Sequence, residues 1–284
     1  MTQPSVQNVG SQHFTVLGAS GFIGSHLVQR FREKAVSHYS PEKWTDDVLK
    51  RPLGHVIYCI GLTADWRQRR FDTVKAHVGR LLTILEDAQY DSVLYLSSTR
   101  VYKRTPTATE ETPLIGCPSV EDDLYDLSKM LGESLCLSSG PAMRVARLSN
   151  VYGGDYSADN FLSSVIRDAI AGHVTLQSNP SSAKDYVSIE DVVDLLPRIA
   201  SSGRERIYNV ASGTNTSAER ILTALAKVTG CSTRVNPAAP AVIFPEISVE
   251  KIANEFDFKA RSVVDAIRPL VDDFRAHRNE WESK

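Results

Sequence analysis

The chain reads as an α/β fold with a doubly wound parallel sheet, and three observations carry that reading. Short apolar runs alternate with amphipathic helical stretches over about the first 150 residues. The first run ends in a glycine-spaced turn that opens a helix. Polar clusters then stand at the carboxyl ends of successive runs, where open parallel sheets bind ligands.

Taken in order, Phe14-Thr15-Val16-Leu17 is the first strand, and Gly18-Ala19-Ser20-Gly21-Phe22-Ile23-Gly24 follows as a tight turn into a helix over 22–34. Such a turn lets backbone approach a ligand and aims the N–H groups and partial positive charge of a helix start at it. The expected ligand is a dinucleotide pyrophosphate. A weak second strand over 35–39 stops at Ser40-Pro41, and a short helix is predicted over 42–50. The run His55 to Ile60 is a strand of the kind buried on both faces, ending in Gly61.

Residues 71–89 carry Phe71, Val74, Val78, Leu81, Leu82 and Leu85 at helical spacing, and a strand over 92–96 ends in Ser97-Ser98-Thr99. A helix over 124–137 and a strand over 143–148 complete this half. Beyond Gly153-Gly154 the pattern loosens into helix 160–171, strand 174–177, loop 178–184, strand 185–188, helix 190–201, strand 206–210, helix 217–229, a loop with Pro237, Pro240 and Pro245, and a last helix over 262–277. This half has no long core stretch of its own. It reads as a small C-terminal lobe, 154–184 with 212–284, on a dinucleotide-binding domain formed by 12–153 with 185–211.

With 284 residues, 42% hydrophobic and 23% charged, the chain can bury a sizeable core. A net charge of -2, with no basic cluster beyond Arg67-Gln68-Arg69-Arg70, argues against nucleic acid or an acidic membrane surface as partner. That run reads as a solvated loop or helix start. Cys59, Cys117, Cys136 and Cys231 lack metal or redox spacing and read as reduced thiols, and no metal site is expected. The polar segment Met1 to Ser11 is no signal peptide and no apolar run is long enough to span a membrane, so the cytoplasm is expected.

Tyr125 and Lys129 lie four residues apart on one helix face. An ammonium beside a phenol favours the phenolate and makes a tyrosine usable as acid or base near neutral pH. Ser98, at a strand end, offers a hydroxyl to a substrate oxygen or caps a turn. In this order the motifs resemble the extended short-chain dehydrogenase/reductase family, in its nucleotide-sugar epimerase, dehydratase and reductase group. The resemblance spans about residues 14 to 275. It rests on Gly18 to Gly24, Cys59 to Ala64, Ser97 to Tyr102, Tyr125 with Lys129, Arg147 to Gly153, Lys184 to Val192, and Tyr208 to Gly213.

The resemblance implies a Rossmann-like sheet with Tyr125 as catalytic acid/base, Lys129 as its pKa-lowering partner and ribose ligand, and Ser98 as the hydroxyl at the sugar C4 oxygen. It puts Gly18, Ser20, Gly21, Phe22, Ile23, Gly24, Ser40, Gly61, Leu62 and His77 on the cofactor side. Thr63, Thr99, Asn150, Asn160 and Lys184 fall on the nucleotide-sugar side. An N-cap is an equal reading for Asn160. His77 stands where the family commonly has asparagine, and a partly buried histidine is its favoured reading.

Several departures shape the expectation. No acidic ribose ligand follows the second strand, where His38-Tyr39-Ser40 stand, and Arg30, Arg32, Lys34 and Lys43 are near enough in sequence to meet a 2′-phosphate, which favours NADP over NAD. Only 36 residues separate Gly18 from His55, so the sheet is expected to be shortened by one unit on the adenine side. Lys184 replaces a usual arginine, which removes a bidentate phosphate contact. Sugar 4,6-dehydratases of this family carry Asp-Glu at the positions of Thr99 and Arg100, so dehydration is disfavoured. The resemblance therefore implies a reductase of an NDP-4-keto-(6-deoxy)hexose. A 4-epimerase with tightly bound NAD is the alternative, and a non-catalytic dinucleotide-binding member a third. A homodimer through helices 71–89 and 124–137 is implied as well.

Overall fold

The computed structural model describes residues 12–41, 44–63, 65–235 and 241–282. Met1 to Ser11, Lys43, Ala64, Pro237 and Pro240 lie outside the described residues. The chain divides into two compact units: Met1–Ser97 with Cys117–Ala146 and Val193–Tyr208, and Ser98–Gly116 with Arg147–Val192 and Asn209–Lys284.

One sheet of six strands organises the first unit: β1 (Phe14–Leu17), β2 (His38–Tyr39), β3 (His55–Tyr58), β4 (Ser92–Ser98), β5 (Met143–Leu148) and β9 (Ile207–Val210), in the spatial order β2-β1-β3-β4-β5-β9. The pairs β1 with β2, β1 with β3 and β3 with β4 are parallel. The chain thus steps outward from β1 to β2 and then returns to β3 on the other side of β1. That reversal opens a crevice at the carboxyl ends of β1 and β3.

Helices cover the sheet because every strand but the edge is apolar on both faces. Leu17, Val56, Tyr58, Val93, Tyr95 and Val145 alternate onto one face, where Val48, Leu53, Leu81, Ile84 and Cys136 complete a core. The covering helices there are α2 (Arg70–Val74) and α3 (Arg80–Asp87), joined by one π turn at 75–79, and α4 (Leu124–Ser138). The sequence predicts one helix over 71–89. The structure inserts the wide turn in its middle, and that insertion buries His77. On the opposite face α1 (Phe22–Glu33) packs Phe31 on Phe14, ring centroids 5.2 Å apart.

The adenine-side edge is short, as expected. Of the predicted strand 35–39 only His38 and Tyr39 pair, because Ala35 takes a left-handed turn at φ 50° and Pro41 lacks the N–H that would extend the ladder. The predicted helix 42–50 is a 3-10 turn over Asp46–Lys50, anchored by buried Val48. Among the described residues no further strand lies outside β2.

The second unit holds a three-stranded sheet, β6 (Asn150–Tyr152), β8 (Ala183–Ser188) and β10 (Asn215–Ser217), ordered β10-β8-β6, and the parallel pair β7 (His173–Leu176) with β11 (Ser232–Val235). Its helices include α5 (Phe161–Ile170), α7 (Ala218–Thr229), α8 (Glu250–Phe256) and α9 (Ile267–Ala276), while α6 (Ile189–Ser202) bridges the division of the chain. Although no single long core stretch is present, this unit has a core of its own. Tyr152, Leu162, Val165, Ile166, Ile221, Leu225, Val271 and Phe274, among others, make one buried cluster assembled from short amphipathic pieces. The helix expected over 262–277 begins at Ile267, after a turn in which the Ser262 hydroxyl accepts the Asp265 N–H at 3.3 Å, and a short helix α10 (Asn279–Glu282) follows it.

Candidate active site

The glycine turn has separable tasks. Gly18 sits at φ 94°, and a Cβ there would lie 2.9 Å from the Cys59 carbonyl carbon at the end of β3. A Cβ on Gly24 would meet the Gly18 oxygen at 2.2 Å, so this glycine lets α1 start directly against the turn. At Gly21, the N-cap of α1, the nearest atom would be an ordinary 3.4 Å away and no side chain caps the helix. Ser20 leaves its hydroxyl out of that cap, so the first N–H groups of α1, from Phe22 and Ile23 onward, face an open cradle fit for an anion. Ser40 follows the end of β2, half-buried and without an acidic neighbour there. Of the four cations considered for a 2′-phosphate, Arg30 and Lys34 both bind the Asp194 carboxylate, at 3.1 and 2.7 Å, and Lys43 is outside the described residues. Exposed Arg32 is the remaining candidate.

Tyr125 and Lys129 share the buried face of α4, in the same unit as the cradle. Lys129 Nζ donates to the Leu96 carbonyl at 2.8 Å and lies 5.1 Å from the Tyr95 ring centroid. Burial pulls its pKa down to about 7, against the opposing pull of Glu133 and Cys59. His77, expected to be partly buried, is wholly buried. Its Nδ1 stands 2.8 Å from Ser128 Oγ, and that hydroxyl donates to the Tyr125 carbonyl at 2.8 Å. Nε2 is buried without a hydrogen-bond partner, and which ring nitrogen carries the hydrogen depends on the tautomer. Burial, then the charge of Lys129, hold the imidazole down to about 2, so it is neutral at working pH.

These groups converge on one spot. A Cβ on Gly61 would lie 3.5 Å from His77 Nε2 and 3.6 Å from Lys129 Nζ, so the missing side chain leaves a ring nitrogen and an amine facing the same opening. Gly61 and Thr63 are exposed and Leu62 half-buried beside it. The orphaned Nε2, the bare Gly61 and the uncapped turn at Gly18 to Gly24 fit a polar, phosphate-bearing cofactor.

Sequence reasoning missed Trp66 and Ser128. The His77 ring meets Tyr125 edge-on at 5.1 Å and 86°, and buried Trp66 lies 5.9 Å from the Tyr125 ring. Arg67 covers Trp66 at 4.6 Å and pairs with Asp122 at 2.9 Å, while Arg70 pairs with Glu121. The basic run, exposed and leading into the start of α2 at Arg70 as expected, also ties the Trp66 loop to the turn preceding α4. A tryptophan interrupting a charged run was the available signal.

In the second unit, Ser98 Oγ accepts the Arg100 N–H at 3.2 Å and caps the 3-10 turn Thr99–Tyr102. Asn150 donates to the Asp185 carbonyl at 2.8 Å. The Asp185 carboxylate in turn holds the 212–214 turn through Ser212 N at 2.9 Å, Ser212 Oγ at 2.7 Å and Thr214 N at 3.1 Å. Lys184 is half-buried, its amine lowered by burial and by Arg100. Asn160 is the N-cap of α5, accepting the Ser163 N–H at 3.0 Å.

Among the described residues, no group of three or more His, Cys, Asp or Glu side chains is placed to hold a metal. No helix there is long and apolar enough to cross a membrane. All four cysteines are free thiols.

Comparison with solved structures gives the same fold across nearly the whole chain. RMD from Pseudomonas aeruginosa, complexed with NADPH, matches at TM-score 0.77 and 21% identity, over 94% of this chain and 99% of that one. The UDP-glucose 4-epimerase of Thermus thermophilus, complexed with NAD, matches at 0.76 and 20%, over 93% and 99%. DesIV, a dTDP-glucose 4,6-dehydratase of Streptomyces venezuelae with NAD bound, matches at 0.79 and 17%, over 95% and 99%. Comparison with curated proteins gives no significant match. The sequence pattern of the NAD dependent epimerase/dehydratase family matches residues 14–211, from the first strand through β9, and the chain belongs to that family.

Proposed function

We propose that this protein is a nicotinamide-dependent reductase of an NDP-4-keto-(6-deoxy)hexose, with NADP as its dinucleotide. The turn after β4, where Thr99 and Arg100 stand in place of a carboxylate pair, disfavours eliminating water, and the observation that supports a reductase is the lack of an acidic ribose ligand at Ser40 after β2. A bound dinucleotide supplies the hydride. The chain's own residues bind and move the proton. Gly18, Gly21 and Gly24 with the start of α1 hold the pyrophosphate. Tyr125 gives its phenolic proton to the C4 oxygen, and Lys129, its ammonium anchored on Leu96, favours the phenolate that remains. His77 stays neutral and presents Nε2 to the cofactor side. The Ser98 hydroxyl is assigned to the same C4 oxygen, and Lys184 with Asn150 to the substrate's nucleotide end.

A 4-epimerase with retained NAD is the second reading. The sharing of Asp194 by Arg30 and Lys34 favours it, because it removes two cations from a 2′-phosphate site. Mixing the protein with a 4-keto sugar nucleotide and NADPH or NADH while following absorbance separates the two. Stoichiometric loss of reduced cofactor establishes the reductase. Conversion of a 4-hydroxy sugar nucleotide into its C4 epimer with no added reductant and no net change in cofactor establishes the epimerase, and no turnover of any sugar nucleotide with intact dinucleotide binding leaves a binding protein.

The homodimer belongs to this proposal too. Phe71 is 85% exposed and Leu131 55%, on α2 and α4, which is costly for a monomer in water. Light scattering that finds a monomer at working concentration refutes it. The cytoplasmic setting is likewise part of the proposal, supported by the four free thiols.

A further inference from the structure

The turn of α4 beyond Lys129 carries a buried acid that the proposed mechanism leaves unused. Tyr125, Lys129 and Glu133 recur at four-residue spacing, which places them along one stripe of the helix, and all three are buried, Glu133 at 3% exposure. A carboxylate is taken out of water at such cost that it must be paired or hydrogen-bonded. Ser97 supplies one bond, its hydroxyl donating to Glu133 Oε1 at 2.5 Å, and Ser97 is itself buried. The preceding residue of β4, Leu96, takes the Lys129 ammonium at 2.8 Å. Consecutive residues at the end of β4 therefore anchor the cation and the acid from consecutive turns of α4.

We infer that Glu133 is a positioning residue of this site, a buried carboxylate whose charge holds Lys129 as an ammonium beside Tyr125 and whose bond to Ser97 fixes the strand end that precedes Ser98. The inference deepens the proposed hydride-transfer function and rests on that reading. The other titratable groups around the pair are Cys59 from the end of β3, His77 from the π turn, Tyr95 from β4, and Tyr125 and Cys136 from α4. Burial holds both thiols up at about 12 and the Tyr95 phenol well above its usual value, and His77 is neutral. Glu133 is the one carboxylate among them. Without it, Lys129 would be a buried amine left with the Leu96 carbonyl and the Tyr95 ring.

The test needs no substrate. In protein carrying isotope-labelled lysine ε-carbons, the Lys129 resonance is identified by its disappearance in Lys129→Met, and its titration midpoint is read by NMR in wild type and in Glu133→Gln. The amide oxygen of glutamine still accepts from Ser97 but carries no charge, so the midpoint is expected to fall by about one pH unit or more. Ser97→Ala keeps the charge and is expected to move the midpoint by less. An unmoved midpoint in Glu133→Gln overturns the inference. If that variant does not fold, Glu133→Asp serves, since it withdraws the charge by one methylene. A partial fall is expected there, and an unchanged midpoint overturns the inference as well. With a turnover assay in hand, Glu133→Gln is expected to move the basic limb of kcat/KM by the same amount with little change in KM. A wild-type protein that binds no nicotinamide dinucleotide would sink the functional reading while the midpoint still decides the role of Glu133.

Discussion

Gly21→Ala is expected to abolish dinucleotide binding while leaving the fold intact, and Gly24→Ala to do the reverse in emphasis. At Gly21 the backbone is extended, φ -81° and ψ 170°, which alanine adopts freely, and the added methyl would find its nearest neighbour at 3.4 Å. Losing glycine at an N-cap costs about 1 kcal/mol. Restricting the unfolded chain returns about 0.4–1 kcal/mol, so net stability should change little. The methyl nevertheless stands where a pyrophosphate would approach the first N–H groups of α1, and a loss of at least about tenfold in affinity, roughly 1.4 kcal/mol, is expected. At Gly24 the methyl would overlap the Gly18 oxygen at 2.2 Å. Overpacking of that kind costs about 1–3 kcal/mol and outweighs the gain of about 1 kcal/mol from alanine in a helix. Thermal melts paired with titrations of NADPH or NAD fluorescence quenching read both quantities. If Gly21→Ala binds dinucleotide as tightly as wild type, the turn is not the cradle and the assignment of the site fails.

Three further outcomes follow from the buried groups of α4 and the π turn. Tyr125→Phe is expected to fold normally and lose turnover by at least about two orders of magnitude, as removal of a general acid should; unchanged turnover on the wild-type substrate rules out the proposed proton donor. His77 is held near 2 in the fold against an ordinary 6.5, so below pH 6.5 the unfolded chain binds a proton that the folded one refuses. Stability is therefore expected to fall by roughly 1.5–2 kcal/mol between pH 6.5 and 5 on its account, and urea melts of His77→Asn should lose that slope. Lys129, about 7 in the fold against 10.5 outside it, likewise charges more readily when unfolded at neutral pH. Lys129→Met removes that cost but leaves the buried Glu133 carboxylate without its cation, so it is expected to lower Tm while ending catalysis, and retained turnover contradicts the role assigned to Lys129.

How far the residues announced this structure depended on whether a feature was local. The glycine turn, the strand end at Ser98 and the Tyr125–Lys129 face follow from spacing alone, because each is set by one element's own period. The short edge strand was foreseeable from Ser40-Pro41, whose proline cannot continue a ladder. The π turn was not, since the apolar residues from Phe71 to Leu85 keep a plain helical period across it, and the insertion is visible only once His77 is seen buried against Ser128. Strands β6 and β10 escaped notice because three-residue strands are held by their neighbour β8, through pairs such as Asn150 with Tyr186 and Asn215 with Asp185. β11 is exposed at every position and carries no apolar signal. Asn160 is a case where two readings had equal sequence support, and the structure puts its oxygen on the Ser163 N–H.

Several places where local rules break down lie close together in the first unit, around Gly61. A π turn inside a helix, a buried histidine nitrogen without a partner and a buried lysine are each unfavourable for folding by themselves. None is compensated by packing in the way that the Val56, Tyr58, Val93 and Tyr95 alternation is. Unfavourable features scattered over a fold would be accidents of sequence. Here the Gly18 turn abuts Cys59 and Ile60, the next residue is Gly61, and the opening at Gly61 faces both His77 and Lys129. A chain that keeps these costs contiguous is holding a polar surface for something that binds there, since a bound group can satisfy Nε2.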